Sequence, residues 1–251
     1  MDLELAGKRA IVTGGSRGIG KAIAARLALE GAAVGIAARD SERIRATTEE
    51  LSTVAGRPVV GHSCDTGDDS SVAEMVDALA RELGGVDILV NAAAMPGGVV
   101  PPPKLAELTT EALWDEVNTK VMGYLRCARE VAPLMAANGW GRIVNVSGLA
   151  ARQSGSIIGS VRNISVAALT KNLADELGPL GINVTVVHPG ATRTERTSDE
   201  AAASVTWNTI GRIVEADEVA DVVAFLASPR SAAITGDAIA CGGGQPGVIH
   251  Y

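Results

Sequence analysis

Ile11-Val12-Thr13-Gly14-Gly15-Ser16-Arg17-Gly18-Ile19-Gly20 is the stretch whose reading decides the fold. Before it, Lys8 to Val12 is a short apolar run, long enough for one buried parallel strand. After it, Ile23, Ala24, Leu27 and Ala28 recur at helical spacing until Gly31 stops the helix. A strand, a tight glycine turn and a helix N-terminus form an anion site, because free backbone N–H groups and the positive end of the helix dipole converge there. Gly14, Gly18 and Gly20 lack the Cβ atoms that would hold a pyrophosphate away from the backbone. Their spacing is G-x-x-x-G-x-G, not the commoner dinucleotide G-x-G-x-x-G. The turn therefore predicts nucleotide binding through Gly14, Ser16, Arg17, Gly18, Ile19 and Gly20.

A chain of 251 residues fits a single α/β domain with a full core. Its net charge of −7 argues against nucleic acid or an anionic membrane surface as partner. With only three Trp, two Tyr and one Phe, helices and sheet must pack over small side chains. Cys64, Cys127 and Cys241 have no metal spacing and read as reduced thiols, with no metal site expected. Met1-Asp2-Leu3-Glu4 is acidic and no apolar run reaches spanning length, so the expectation is a cytoplasmic protein.

Residues 32–38 read as a second strand, 41–55 as a polar helix, 58–62 as a third strand and 68–83 as an amphipathic helix with an Asp68 cap. Residues 86–90 form a fourth buried strand ending at Asn91-Ala92. This alternation requires right-handed crossovers and a parallel sheet covered on both faces. An acidic residue after the second strand binds a ribose 2′-hydroxyl, whereas an arginine accommodates a 2′-phosphate. Here Arg39 follows Ala38, and Arg17 lies in the glycine turn, so the sequence favours NADP(H) over NAD(H). Residues 95–104, rich in Gly and Pro, read as a rigid loop beside the site. A long helix from about Thr110 to Ala137, a strand at 141–147, a helix at 157–178, a strand from Gly181 to His188, a helix from Asp217 to Ala227 and a seventh strand near Ala238 complete the chain.

With these elements in order, the chain resembles the short-chain dehydrogenase/reductases of about 250 residues, from about residue 5 to about 245. The resemblance is carried by Thr13-Gly14 to Gly20, Asp65 after the third strand, Asn91-Ala92-Ala93-Ala94 after the fourth, and Pro189-Gly190 with Thr194 after the sixth. It implies a single Rossmann-type doubly wound domain with a seven-stranded parallel sheet, order 3-2-1-4-5-6-7. It also implies cofactor contacts from Asp65 and Thr66 at the adenine, Asn91 and Ala92 beside the central sheet, and Pro189, Gly190 and Thr194 at the nicotinamide. Residues 191–212, with Thr192, Arg193, Arg196 and Trp207, take the place of the family's mobile lid over a small-molecule substrate. The two long helices imply a homodimer or homotetramer.

The family's Ser, Tyr, Lys and Asn do not all survive. Anchoring on Leu169-Thr170-Lys171-Asn172, the Lys position falls on Asn163 and the Tyr position on Gly159. Anchoring on Gly123, the Asn position falls on Lys120, and the Ser position falls on Ser147 or Gly148. Lys and Asn have exchanged sides, so the expectation is that Lys120 supplies the cation while Asn163 bonds the ribose. A buried lysine beside the cofactor has its pKa lowered toward that of a general acid. Tyr124, one helical turn after Lys120, is a minor candidate for a displaced acid, and His188 reads as structural. Arg152 and Arg162 read as solvated, or as contacts for an anionic substrate. The expectation is an NADP(H)-dependent oxidoreductase on a carbonyl or alcohol with an atypical site. The alternatives are a non-redox enzyme on the same fold (isomerase, dehydratase or cyclase) or a non-catalytic NADP(H)-binding partner subunit.

Overall fold

A computed structural model describes residues 1–95, 102–247 and 249. Seven strands form one parallel sheet: β1 (Arg9–Thr13), β2 (Ala33–Ala38), β3 (Val59–Ser63), β4 (Ile88–Asn91), β5 (Gly141–Val146), β6 (Ile182–Pro189) and β9 (Ala238–Cys241), in the order 3-2-1-4-5-6-9. Two short strands, β7 (Thr192–Arg193) and β8 (Val214–Glu215), pair separately above it, so the seventh strand of the sheet is the ninth in the chain.

The helices are α1 (Gly18–Leu29), α2 (Ser41–Ala55), α3 (Asp69–Leu83), α4 (Thr110–Glu116), α5 (Gly123–Ala137), α6 (Ile157–Leu177), α7 (Asp199–Ala203) and α8 (Ala216–Ala227). Side chains of β1 alternate between two cores, as strand geometry demands. Ala10 and Val12 meet Ile23, Leu27, Ile44 and Val219 on the face of α1, α2 and α8. Ile11 turns to Val72, Met75, Cys127 and Leu177 on the face of α3, α5 and α6. The strands themselves carry mostly small or β-branched residues, as expected of a sheet sealed on each side. Among the described residues no helix is long and apolar enough to cross a membrane.

The long helix expected from Thr110 to Ala137 is not continuous α-helix. Between α4 and α5 the chain forms a π-helical segment, Val117–Met122. A π-bulge accommodates extra residues in a helix and re-aims the side chains it carries. Of the segment, Lys120 is the buried residue. In the expected loop at 95–104, residues 96–101 lie outside the described residues.

The glycine turn is built mainly for contact within the chain. Gly14 has φ 68°, and a Cβ there would meet the Ala92 carbonyl oxygen at 2.7 Å. A Cβ on Gly20 would sit 2.3 Å from the Gly14 oxygen. Of the three glycines, only Gly18 would have its Cβ in ordinary contact, 3.4 Å from Thr194 Cγ2. Gly14 and Gly20 thus let α1 and β4 close on the end of β1, a packing role beside the phosphate-admitting one expected of all three glycines. Gly20→Ala should destabilise the protein by about 1–3 kcal/mol through overpacking, read as a lower midpoint in urea unfolding.

Candidate active site

The carboxyl ends of the central strands open into a cleft of about 1110 Å³. It is lined by the glycine turn, Arg39, Asp65, Thr66, Ala92, Lys120, Ser147, Asn163, Pro189, Gly190 and Thr194. Ligand sites in open parallel sheets lie at this edge. Asn91, expected to steady the central sheet beside the cofactor, is fully buried and does not itself line the cleft. Its Nδ2 donates to Asn145 Oδ1 at 2.9 Å, and Asn145 Nδ2 donates to Thr170 Oγ1 at 2.9 Å, tying β4, β5 and α6 together beneath the floor.

At one end, the N-terminus of α1 already holds an anion supplied by the chain. The Gly18 N–H donates to Glu195 Oε2 at 3.0 Å. Around it, Arg17, Arg39, Arg43 and Arg196 all line the cleft. Burial and repulsion from Arg196, Arg43 and Arg39 lower the Arg17 pKa, with Glu195 opposing. Asp40 caps α2 and pairs with Arg43 at 3.4 Å. Arg17 and Arg39 form no ion pair among the described residues. Guanidinium groups gathered without enough acid to neutralise them form a receptor for a multiply charged anion. Arg43 was not singled out in the sequence, although it lies four residues after Arg39 at the start of a helix.

At the other end the π segment delivers Lys120, 3 % exposed, to the centre of the site. Its Nζ donates to the Ser147 carbonyl oxygen and to Asn163 Oδ1, each at 2.9 Å. Burial, with repulsion from Arg162 and a smaller opposing attraction from Glu116, brings its pKa down to about 7. Ser147 Oγ donates to the Asn163 carbonyl oxygen at 3.0 Å, so the hydroxyl proton points along α6 rather than into the cleft. Gly159 lies in the first turn of α6, where its N–H donates to the capping Ser156 Oγ. It brings no functional group to the cleft.

Several candidates are redirected. Tyr124 is buried, does not line the cleft, and donates its hydroxyl to the Val146 carbonyl at 2.8 Å, with burial driving its pKa far up. It is a packing residue and not a displaced acid. Arg193 turns away to Asp199 and Glu215, at 2.9 and 3.2 Å, leaving Thr192, Arg196 and Trp207 of the expected lid group on the cleft. Arg152 donates to the Ala238 carbonyl. His188 is buried and held neutral, its pKa pushed down to about 4 by burial and by the nearby Arg152 and Lys120. Arg162 is not solvated, because it pairs with Glu116 at the cleft wall.

Beyond the expected residues, Arg126 connects the two ends. It donates to Asp69 Oδ2 at 2.9 Å, to the Thr66 carbonyl at 3.1 Å and to Asn118 Oδ1 at 2.9 Å. Thr66 Oγ1 in turn donates to the Thr119 carbonyl at 3.0 Å. The loop after β3 is thereby bonded to the segment carrying Lys120. Nothing in the local pattern marks Arg126, whose partners Asp69 and Thr66 lie about sixty residues away.

A family model described as enoyl-(acyl carrier protein) reductase matches residues 14–245. The chain is 34% identical to the short-chain reductase protein NovJ of Streptomyces niveus, over 94% of this chain and 93% of that one. Among solved structures it is similar to a short-chain dehydrogenase of Burkholderia cenocepacia in complex with NADP, with TM-score 0.84, 34% identity and coverage of 96% and 98% of the two chains. It is also similar to L-sorbose reductase of Gluconobacter frateurii complexed with NADPH and L-sorbose, with TM-score 0.90, 28% identity and coverage of 99% and 100%.

A lysine whose folded pKa lies below its unfolded value near 10.5 disfavours the folded state when protonated, and that cost fades as pH rises through the window between the two. With Lys120 at about 7, wild type should gain stability relative to Lys120→Met from about pH 7 to about 10.5. Urea unfolding of both proteins across that range checks the sign; parallel curves would mean an ordinary amine.

Proposed function

The chain belongs to the short-chain dehydrogenase/reductase family, and on that premise we propose that it is an NADP(H)-dependent oxidoreductase acting on a carbonyl or alcohol, with Lys120 bearing the proton that the family's tyrosine bears elsewhere. The observation that carries this reading is Lys120 Nζ, buried in the cleft between Ser147 O and Asn163 Oδ1.

The cofactor end fits NADP(H) on two grounds. The N-terminus of α1 accepts a carboxylate in the present structure, as it would a pyrophosphate. Arg17, Arg39 and Arg43 supply the charge that a 2′-phosphate needs. Asp65 and Thr66 would face the adenine, and Pro189, Gly190 and Thr194 the nicotinamide; Glu195 would yield its place to the pyrophosphate. Bound there, NADPH supplies the hydride for carbonyl reduction.

The protein's own part is the proton. As an ammonium, Lys120 spends two N–H bonds on Ser147 O and Asn163 Oδ1 and retains a third for a substrate oxygen. As a neutral amine it keeps both bonds and offers its lone pair in the same direction. The proton can therefore leave or return without rearranging the site, and a pKa of about 7 keeps both forms populated near neutrality. Asn163 Nδ2 is left free for a ribose hydroxyl, and residues 191–212 form the lid. Because Gly159 presents no acid, binding without turnover is the competing reading, and NADPH consumption against a panel of carbonyl compounds separates the two.

Titration of NADPH and NADH into wild type, Arg39→Ala and Lys120→Ala tests the assignment. Wild type should prefer NADPH, and Arg39→Ala should weaken NADPH about 10-fold or more while sparing NADH. Lys120→Ala should weaken both cofactors and abolish turnover; unchanged affinity and activity would exclude the exchange of Lys and Asn. A homodimer is supported by Ile157, Val161 and Ile164, exposed at helical spacing on α6, and by Trp114 and Met122 nearby in sequence to Lys120. Light scattering should then give at least twice the 25.6 kDa chain mass, whereas a monomer would exclude that face as a self-contact.

A further inference from the structure

Two rungs join the segment around Lys120 to α6. Lys120 meets Asn163, and one turn earlier Glu116, the last residue of α4, pairs with Arg162, the neighbour of Asn163. The pair is largely withdrawn from water, with side chains 13% and 17% exposed. The Arg162 Nε is buried without a hydrogen-bond partner among the described residues. As a stabilising device this is poor. A desolvated ion pair with one donor left over holds two helices no better than an apolar contact of equal size. An apolar contact, however, would place no charges beside Lys120.

The groups facing Lys120 are few. Glu116 comes from its own helix, Arg162 and Asn163 from α6, and Ser147 from the end of β5. His188 on β6 is nearby and neutral, with Arg152 beyond it. Asp40, beside the arginine cluster, and Asp65, in the loop after β3, also line the cleft, but neither is among the charges that shift Lys120. Glu116 and Arg162 are thus the charged side chains that act most directly on Lys120, and they act in opposite senses.

We propose that Glu116 and Arg162 are a positioning pair for Lys120, docking the π segment on α6 so that Nζ reaches Asn163 and presenting the amine with one charge of each sign. Arg162 repels the ammonium and makes its proton easier to give up. Glu116 holds Arg162 in place and limits that repulsion, so that the lysine is neither permanently charged nor permanently neutral. The pair thereby matches Lys120 to proton transfer. This inference deepens the reading of Lys120 as the proton-bearing group and rests on it.

The test needs neither substrate nor cofactor. The chain has five lysines, at 8, 21, 104, 120 and 171, so ¹³C-lysine labelling gives a spectrum in which Lys120→Met assigns the Lys120 signal. Its titration is followed from pH 5 to 11 in the full-length protein. Arg162→Gln should move the Lys120 midpoint up by about one pH unit, and Glu116→Gln should move it down. The double variant Glu116→Gln/Arg162→Gln should return it toward wild type. Arg162→Lys, which keeps the charge, should stay closest to wild type, and it serves if the Gln variants do not fold. A merely structural clamp would loosen and admit water in either variant, raising the midpoint in both. Shifts of the same sign, or no shifts, would overturn the proposal. A wild-type midpoint above 10 would instead remove the proton-transfer role of Lys120, while opposite shifts would still establish the electrostatic pairing.

Discussion

Everything in the site depends on backbone meeting backbone at the end of β1. A Cβ at Gly20 would fall 2.3 Å from the Gly14 oxygen, and one at Gly14 would fall 2.7 Å from the Ala92 oxygen. Because neither exists, α1 starts directly over the strand ends and β4 lies close beside them. The Gly14 N–H donates to the Ala37 carbonyl at 2.7 Å and the Ala92 N–H to the Thr13 carbonyl at 3.1 Å, so three strand ends converge on one turn. That convergence creates the cleft edge and aims the α1 N-terminus into it. Fold and anion site are consequences of the same close contact.

The opposite end of the cleft is organised by a charge rather than by a close approach. A lysine buried at 3 % exposure is costly unless it is bonded or can shed its proton, and Lys120 does both. The π-helical segment makes this possible, since a regular α-helix through Val117–Met122 would present its side chains at a different angle. Arg126 then fastens the segment to the loop after β3, so the arrangement around Lys120 and the wall at Asp65 and Thr66 are parts of one bonded unit. The two ends of the cleft share a framework, although the elements bearing them are far apart in the chain.

In the proposed reading the differences from the family form a coordinated set. On that reading Gly159 stands where the family has a phenol and Asn163 where it has a cation, Lys120 brings the cation from the facing helix, and Glu116 with Arg162 pairs beside it. A lone loss of tyrosine would read as decay. In the proposed arrangement the cation stays within hydrogen-bond reach of residue 163, Lys120 Nζ lying 2.9 Å from Asn163 Oδ1, as a site re-formed around a different proton carrier requires.

Local pattern alone determined most of the architecture. Strand and helix periods, the glycine turn and Asp caps placed nearly every element within a residue or two, because a parallel sheet covered on both faces demands continuous apolar runs separated by turn chemistry. The proposed exchange of Lys120 and Asn163 came from the family resemblance, anchored on Gly123 and on Leu169-Thr170-Lys171-Asn172. What only the tertiary structure decided is where long polar side chains end. Tyr124 shares a face with Lys120 by spacing, yet the irregular turn between them sends its hydroxyl to Val146. Arg162 read as solvated until Glu116, forty-six residues away, supplied its partner. Glu195 and Arg126 likewise find their contacts across long separations. Periodicity fixes which face a residue occupies. Pairing across the fold is set by which segments the packed core brings within hydrogen-bond reach, and one residue's neighbours in sequence carry no record of that.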